Sequence, residues 1–236
     1  MKRVRLQATL ADNELLLSSD AKATVKVGEL SRGGVSRVPV KALDHDFSPD
    51  AKVTPFGIFL PVQDELYITM ATSKVTSDFI VDTYDQWWVE HRSRFPKVDT
   101  LVLLQDNGPE NHSRRTQFMS RMVDFVQKNQ VNVRLAYYPP YHSKYNPIER
   151  CWGVLENHWN GALLDSISAT VEYAKTMTWK GVSPVVRLAT EAYELGVKLT
   201  KNAMRAIEAK MKRLPNLEPW FVEIDYDPSG QFPADP

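Results

Sequence analysis

The segment that most constrains the fold is a short apolar run, Leu101 to Leu104, that ends at Gln105, Asp106 and a turn. An apolar run without alternation predicts a strand that is buried on both faces, as in parallel sheets covered by helices. An amphipathic helical pattern follows from Ser113, which we interpret as its N-cap, and Val131 to Tyr138 returns as a strand. This order predicts a β-α-β unit, so the chain is expected to be an α/β protein.

The amino-terminal half predicts antiparallel strands before that unit. Residues 14–19 lead into Asp20 as a first strand, and an exposed loop or short hairpin is expected around residues 28–37. Segment 53–62 is an apolar run broken by prolines, and segment 65–71 has the β-branched and aromatic content of a strand. From Ser77, interpreted as an N-cap, apolar residues recur at helical spacing until Pro96.

Helical patterns dominate the carboxyl-terminal part. Asn146 and Pro147 are placed as the N-cap and first residue of a helix that runs to Gly161, and helices are predicted over 166–178, 184–197 and 200–213. We therefore divide the chain into a catalytic domain at 1–164, a helical extension at 165–214 and an acidic tail at 215–236.

Composition limits the class of protein. Lys plus Arg and Asp plus Glu both number 29, so the net charge is zero and a strongly basic nucleic-acid clamp is disfavoured. The lone Cys151 excludes a disulfide framework within the chain. No apolar run approaches the roughly 20 residues that a membrane helix needs. We expect a cytoplasmic protein with no membrane partner.

Three acids stand at comparable positions. Asp20 lies late in the first strand, Asp106 directly follows the buried strand, and Glu149 opens the helix after the last strand of the unit. Such positions converge at one edge of an open α/β sheet. Clustered carboxylates repel each other and need cations, and hard oxygen ligands favour Mg²⁺ or Mn²⁺. Paired ions of this kind support phosphodiester chemistry.

Two of the acids also have a structural interpretation, and the third has competitors. Asn146 and Glu149 together form a capping-box pattern, and Asp106-Asn107-Gly108 is a common turn sequence. Asp44 and Asp46 compete with Asp20 for the role of first acid.

The residues around the second and third acids resemble those of DDE transposases from bacterial insertion sequences, in the branch related to mariner elements. The matching segments are LVLLQDNGPENH and AYYPPYHSKYNPIERCWGVLENHW, with LLLSSDAKATVKVGELSRGG similar to the first catalytic segment. The separation of Asp106 and Glu149 is longer than is usual in that branch. We interpret the chain as a catalytic domain that lacks the usual N-terminal helix-turn-helix region.

The resemblance implies an RNase H-like (retroviral integrase-type) mixed sheet flanked by helices, here with a C-terminal helical extension. It implies two Mg²⁺ ions, replaceable by Mn²⁺, held by Asp20, Asp106 and Glu149. It also implies cleavage and strand transfer of transposon DNA, with the transposon ends and target DNA as partners and a homo-oligomer as the active complex. Two alternatives remain: a nuclease of the same fold that cuts without joining, and an inactive relic that only binds DNA or protein.

Other residues receive secondary roles. Asn107, His112 and Asn146 are supporting residues, although a lone His is as often structural. Trp152, Trp159 and Cys151 are expected in the core. A basic cluster near the last predicted helix is a solvated face by default, with contact to DNA phosphates as the alternative; it comprises Lys198, Lys201, Arg205, Lys210, Lys212 and Arg213.

Overall fold

The computed structural model describes residues 1–35, 48–139 and 145–229. The strands in these ranges are β1 (Glu14–Ala21), β2 (Val25–Val27), β3 (Ala51–Leu60), β4 (Glu65–Ala71), β5 (Thr100–Gln105), β6 (Asn132–Tyr137), β7 (Val185–Ala189), β8 (Met211–Arg213) and β9 (Phe221–Ile224). The helices are α1 (Lys2–Leu10), α2 (Ser77–His91), α3 (Thr116–Asn129), α4 (Ile148–Trp159), α5 (Ile167–Lys175) and α6 (Lys201–Glu208), with a 3₁₀ turn at Arg92–Arg94.

The chain divides into two compact units. The first unit comprises Met1–Ser18, Thr76–Asn146 and Tyr193–Pro236, and the second comprises Ser19–Val75 and Pro147–Ala192. Strand β1 therefore begins in the first unit and ends in the second.

In the first unit, the predicted β-α-β arrangement is confirmed. Strand β5 pairs in parallel with β1 on one side and with β6 on the other. The strand residues Leu101 to Leu104 are all buried, as the apolar run predicts. Helix α3 buries Phe118, Met122 and neighbouring apolar residues, and salt bridges from Arg121 and Lys128 to acids of α2 tie these two helices together.

In the second unit, β3 pairs antiparallel with β4 and with β2, which confirms the predicted antiparallel strands. Helices α4 and α5 contact this layer. Their shared core is almost entirely apolar and includes Trp152, Trp159 and Cys151, so the core positions predicted for these three residues are confirmed.

The helix predicted over 184–197 is wrong. Residues 185–189 form β7, which pairs in parallel with β4, and no regular element follows until α6. The apolar residues Leu188 and Leu195 that suggested a helical stripe are 43% and 58% exposed. Pairing with the edge of β4 satisfies the backbone groups of this segment and overrides its weak helical period.

The last helix and the tail also differ from the prediction. Helix α6 ends at Glu208, and Met211–Arg213 forms β8 instead of a further helical turn. The acidic tail, for which no strand was predicted, contains β9, which pairs antiparallel with both β6 and β8. Strand β9 alternates partly exposed and buried residues, with Val222 and Ile224 buried. Only one of its two partly exposed residues, Glu223, is polar, so the sequence shows little of this alternation. Residues 165–214 are therefore not purely helical.

The fold class is nevertheless the predicted one. The described residues form a mixed sheet flanked by helices, with the order of elements expected of an RNase H-like α/β protein. In the part of the chain that the structure describes, no helix is both long and apolar enough to cross a membrane.

Candidate functional site

In the first unit, Asp106 stands directly after β5, as predicted. The preceding strand residues are buried, whereas Asp106 itself is half-buried. The rigid strand therefore fixes the backbone of Asp106 while its carboxylate stays accessible. This combination suits a side chain that must bind a ligand in a defined geometry.

Asn111 orients the Asp106 carboxylate, a role that the sequence analysis missed. Its Nδ2 lies 3.2 Å from both Oδ1 and the backbone oxygen of Asp106, and 3.2 Å from Oε1 of Gln105. The hydroxyl of Tyr137 donates to the backbone oxygen of Asn111 at 2.9 Å and so anchors it to β6. No local pattern distinguishes Asn111 from other polar loop residues, because this role depends on the loop conformation.

A glycine makes the tight packing of this loop feasible. A Cβ atom at Gly108 would lie 2.8 Å from Oδ1 of Asn111 and 3.2 Å from Oδ1 of Asp106. Any side chain at this position would therefore push apart the two groups that hold the carboxylate.

Asn107 and His112 shape the same loop. Oδ1 of Asn107 accepts a hydrogen bond from the backbone nitrogen of Ser113 at 3.1 Å, and the backbone nitrogen of His112 donates to the oxygen of Gly108 at 3.0 Å. Burial lowers the pKa of the His112 imidazole, and the charges of Arg115 and Arg114 lower it further. A neutral ring is consistent with Nδ1 accepting from the backbone nitrogen of Arg114.

Two predicted helix caps are wrong. Helix α3 begins at Thr116, so Ser113 does not cap it. Thr76 caps α2 through its side chain, and Ser77 is the first helical residue. In both cases the preferred cap residue type occurs close to the helix start, and loop geometry decides which residue is used.

Asn146 does not cap α4 either. The N-cap is Pro147, and no side chain makes a capping hydrogen bond there. Oδ1 of Asn146 instead accepts from Oγ of Ser18 at 2.5 Å, and both side chains are buried. Asn146 therefore connects β1, two residues before Asp20, with the segment that leads to Glu149. The N-cap that the structure assigns is therefore not the residue that the capping-box interpretation of Glu149 requires.

In the second unit, Asp20 lies near the end of β1 and Glu149 in the first turn of α4, both half-buried. Helix α4 packs very closely on β3 at Gly57. A Cβ atom there would lie 2.6 Å from both Cδ1 of Ile148 and Cη2 of Trp152. The absence of a side chain at Gly57 thus allows α4, which carries Glu149, to pack closely against β3.

The acids provide oxygen donors of the type that hard divalent cations prefer. The described residues contain no group of three or more His, Cys, Asp or Glu side chains arranged to hold a metal ion. The competing acids Asp44 and Asp46, and the motif residues Pro140 and Tyr141, lie outside the described residues.

The predicted basic cluster does not share one helix. Lys201 and Arg205 lie on α6, and the other four flank it or lie on β8. Arg213 is committed to structural contacts, because its guanidinium binds both carboxylate oxygens of Glu208 and donates to the backbone oxygen of Ser113 at 2.9 Å. Lys212 pairs with Asp225 at 2.6 Å.

Comparisons with solved structures give distant similarities. The chain resembles the Mos1 transposase paired-end complex with the left transposon end (13% identity, TM-score 0.49, 73% of this chain and 50% of that chain) and the Mos1 mariner paired end complex with Mn (12%, 0.49, 67% and 46%). The human cytomegalovirus terminase nuclease domain is more distant (9%, 0.30, 89% and 85%). The chain spans about half the length of the Mos1 chains it matches. No curated protein matches its sequence.

The sequence also matches the family described as Rhodopirellula transposase DDE domain, over residues 3–226. This match confirms the resemblance to DDE transposases, while the mariner-related branch and the missing helix-turn-helix region stay predictions. The match extends through all the elements described above, including the strands β7 to β9 that were not predicted. The chain belongs to this family of transposase DDE domains.

Proposed function

We propose that this chain cleaves DNA at transposon ends and joins the ends to target DNA, with Asp20, Asp106 and Glu149 as its catalytic and metal-binding residues. The observation that carries the proposal is the family match over residues 3–226. The proposed partners are the transposon ends and target DNA, within a homo-oligomer in the bacterial cytoplasm.

The strand register supports the choice of Asp20 and Asp106. Within the first unit, Ser18 pairs with Leu104 in the parallel ladder between β1 and β5. Asp20 and Asp106 each follow two residues further along the chain. Each acid therefore stands at or just beyond the carboxyl-terminal end of its own strand, the position at which the sequence places a catalytic acid.

The proposed cofactor is a pair of Mg²⁺ ions, for which Mn²⁺ can substitute. When bound, such ions lower the pKa of the attacking hydroxyl and neutralise charge at the leaving oxygen. The protein contributes the positions of its carboxylates. Asn111 holds Oδ1 of Asp106, while the seating of α4 on Gly57 fixes the helix that carries Glu149.

The loop after Asp106 supplies further support. Asn107 fixes the loop backbone through Ser113, and His112 is held with its backbone bonded to Gly108. We assign both to positioning the Asp106 loop and not to proton transfer. Substituting either is expected to reduce activity less than substituting Asp106.

The test is a strand-cleavage and joining assay with Mg²⁺, using duplexes that carry the inverted repeats flanking the gene and a plasmid as target. We expect cut strands and joined products with the wild type and neither with Asp106→Asn, Glu149→Gln or Asp20→Ala. Asp44→Ala and Asp46→Ala should retain much of the activity.

The other possible outcomes of this assay each support a different function or a different first catalytic acid. Cutting without joining would assign a nuclease, and the absence of both products would assign an inactive relic. Loss of activity in Asp44→Ala or Asp46→Ala, with Asp20→Ala active, would move the first catalytic acid to that segment.

A further inference from the structure

A basic cleft lies in the second unit, with a volume of about 370 Å³. Its polar lining consists of Lys22, Thr24, Lys26, Ser31, Arg32 and Glu156. The cleft thus contains three cationic side chains and one carboxylate, and its formal charge is positive. The net charge of the whole chain is zero, so this surface is a local departure from the average.

Two of the cations share the single acid. Nζ of Lys22 lies 2.5 Å from Oε2 of Glu156, and Nη2 of Arg32 lies 3.1 Å from Oε1. Burial raises the pKa of the Glu156 carboxyl, but the hydrogen bond and charge of Lys22, together with Arg32, outweigh this and lower it. One ionised carboxylate between two cations gives these three side chains a formal charge of +1.

The two cations are held rigidly. The Lys22 ammonium lies 5.9 Å and the Arg32 guanidinium 5.4 Å from the centroid of the Trp159 ring, which is fully buried. Their side chains are only 12% and 16% exposed. Long basic side chains normally lose rotamer entropy on binding, and most of that loss has already occurred here.

The loop that carries Arg32 is fixed to the end of α4. The backbone nitrogen of Gly161 donates to the oxygen of Gly33 at 2.6 Å. Gly34 has φ +94°, and a Cβ atom there would lie 2.9 Å from Cβ of Asn160. Only glycine fits this close approach in a left-handed conformation, so the position of Arg32 is built into the loop.

Two lining residues of the cleft stand close along the chain to two of the proposed catalytic acids in the same unit. Lys22 follows Asp20 by two residues, which is roughly 7 Å of extended chain. Glu156 follows Glu149 by seven residues, or two helical turns, so both project from the same side of α4. A strand bound along this side would pass the cleft and the acids in turn.

From this arrangement we infer that the cleft binds a phosphodiester group of the DNA strand, with Lys22 and Arg32 donating hydrogen bonds to its oxygens. Guanidinium groups match phosphate geometry, and the hydroxyls of Thr24 and Ser31 line the same space. Glu156 orients the two cations and competes with the phosphate for them. The inference deepens the proposed function and rests on it for the choice of DNA as the ligand.

The experiment measures binding without catalysis. A fluorescein-labelled duplex is titrated with the whole chain in EDTA at several salt concentrations, and anisotropy gives the Kd. Lys22→Gln and Arg32→Gln should each weaken binding by roughly three- to tenfold and reduce the slope of log affinity against log salt by about 0.9. Glu156→Gln should strengthen binding, because it frees both cations. Lys22→Arg should retain wild-type affinity.

The matched controls come from the exposed ion pair Lys175–Glu172 on α5 in the same unit. Lys175→Gln and Glu172→Gln should leave the Kd unchanged. Circular dichroism melting checks that each variant is folded, and Glu156→Gln remains decisive if Lys22→Gln does not fold. Inorganic phosphate is added as a competitor in a separate arm; displacement of DNA only at high concentration is expected for a phosphodiester site.

Several results would overturn the inference: no measurable binding by the wild type at low salt, unchanged affinity in both Lys22→Gln and Arg32→Gln, or weaker binding by Glu156→Gln. The last result would make the three residues a structural ion-pair cluster. Strong competition by inorganic phosphate at low concentration would assign a free-phosphate site. Since EDTA prevents cleavage, loss of the proposed catalytic function would leave these binding differences intact.

Discussion

Cys151 illustrates how burial controls the chemistry of a single residue. It lies on the buried face of α4, and burial, with a contribution from Asp64, raises the pKa of its thiol to about 12. Since the thiolate is the reactive form, a thiol reagent at pH 8 should label the native protein very slowly and the urea-unfolded protein completely. Rapid labelling of protein that remains folded would contradict this burial.

The same thiol affects stability at high pH. The pKa is higher in the folded state than its ordinary value of 9.0. The neutral, buried thiol therefore contributes fully to the free energy of unfolding below about pH 9, and this contribution is lost as the pH rises toward 12. In Cys151→Ala, the free energy of unfolding should therefore fall less than in the wild type as the pH rises from 9 toward 12.

At the residue scale, position along a strand was predictable and hydrogen-bond partners were not. Asp106 follows β5 as predicted, because an unbroken apolar run ends there. Asn111 and the Ser18–Asn146 contact were missed, since each depends on two segments that meet only in the folded chain. The capping pattern at Asn146 suggested a local partner, whereas the contact with Ser18 joins it to a buried residue far along the sequence.

At the element scale, the close packing of α4 on β3 at Gly57 leads to a prediction about stability. Gly57→Ala places a methyl group 2.6 Å from both Ile148 and Trp152, so we expect a loss of about 1–3 kcal/mol in the free energy of unfolding. Gly153 lies on α4, and a Cβ atom there meets nothing within 4 Å. Gly153→Ala should therefore raise the free energy of unfolding by about 0.5–1 kcal/mol through helix propensity. Urea unfolding measures both.

The sign of these two changes is the critical result. If Gly57→Ala were neutral, α4 would not be seated as closely as the structure has it, and Glu149 would be less firmly positioned. If Gly153→Ala were destabilising, its surroundings would differ from the open space observed.

Long, strongly patterned elements were predictable, whereas short strands were not. Helix α3 and strands β4 to β6 have patterns that tertiary structure does not overrule. Strands β7, β8 and β9 have between three and five residues each. Strands β7 and β9 pair with the distant strands β4 and β6, and β8 pairs with β9. Segments of this length contain too few residues to distinguish a helical from an extended period.

At the scale of the whole molecule, zero net charge restricts how DNA is bound. Few phosphates can be neutralised, so affinity must come from a small number of well-placed cations such as those of the basic cleft. The predicted basic cluster contributes less than its charge suggests, because Arg213 and Lys212 are paired with acids.

The central claim is that Asp20, Asp106 and Glu149 act together as a metal-binding catalytic site, and calorimetric titration of the whole chain with Mn²⁺ tests it most directly. We predict binding by the wild type that Asp106→Asn severely weakens, because each carboxylate contributes charge and ligand oxygen to the ion. The exposed Asp12, which precedes β1, provides the control, and Asp12→Asn should bind as the wild type does. Equal Mn²⁺ binding by the wild type and Asp106→Asn, or none by the wild type, would contradict the claim.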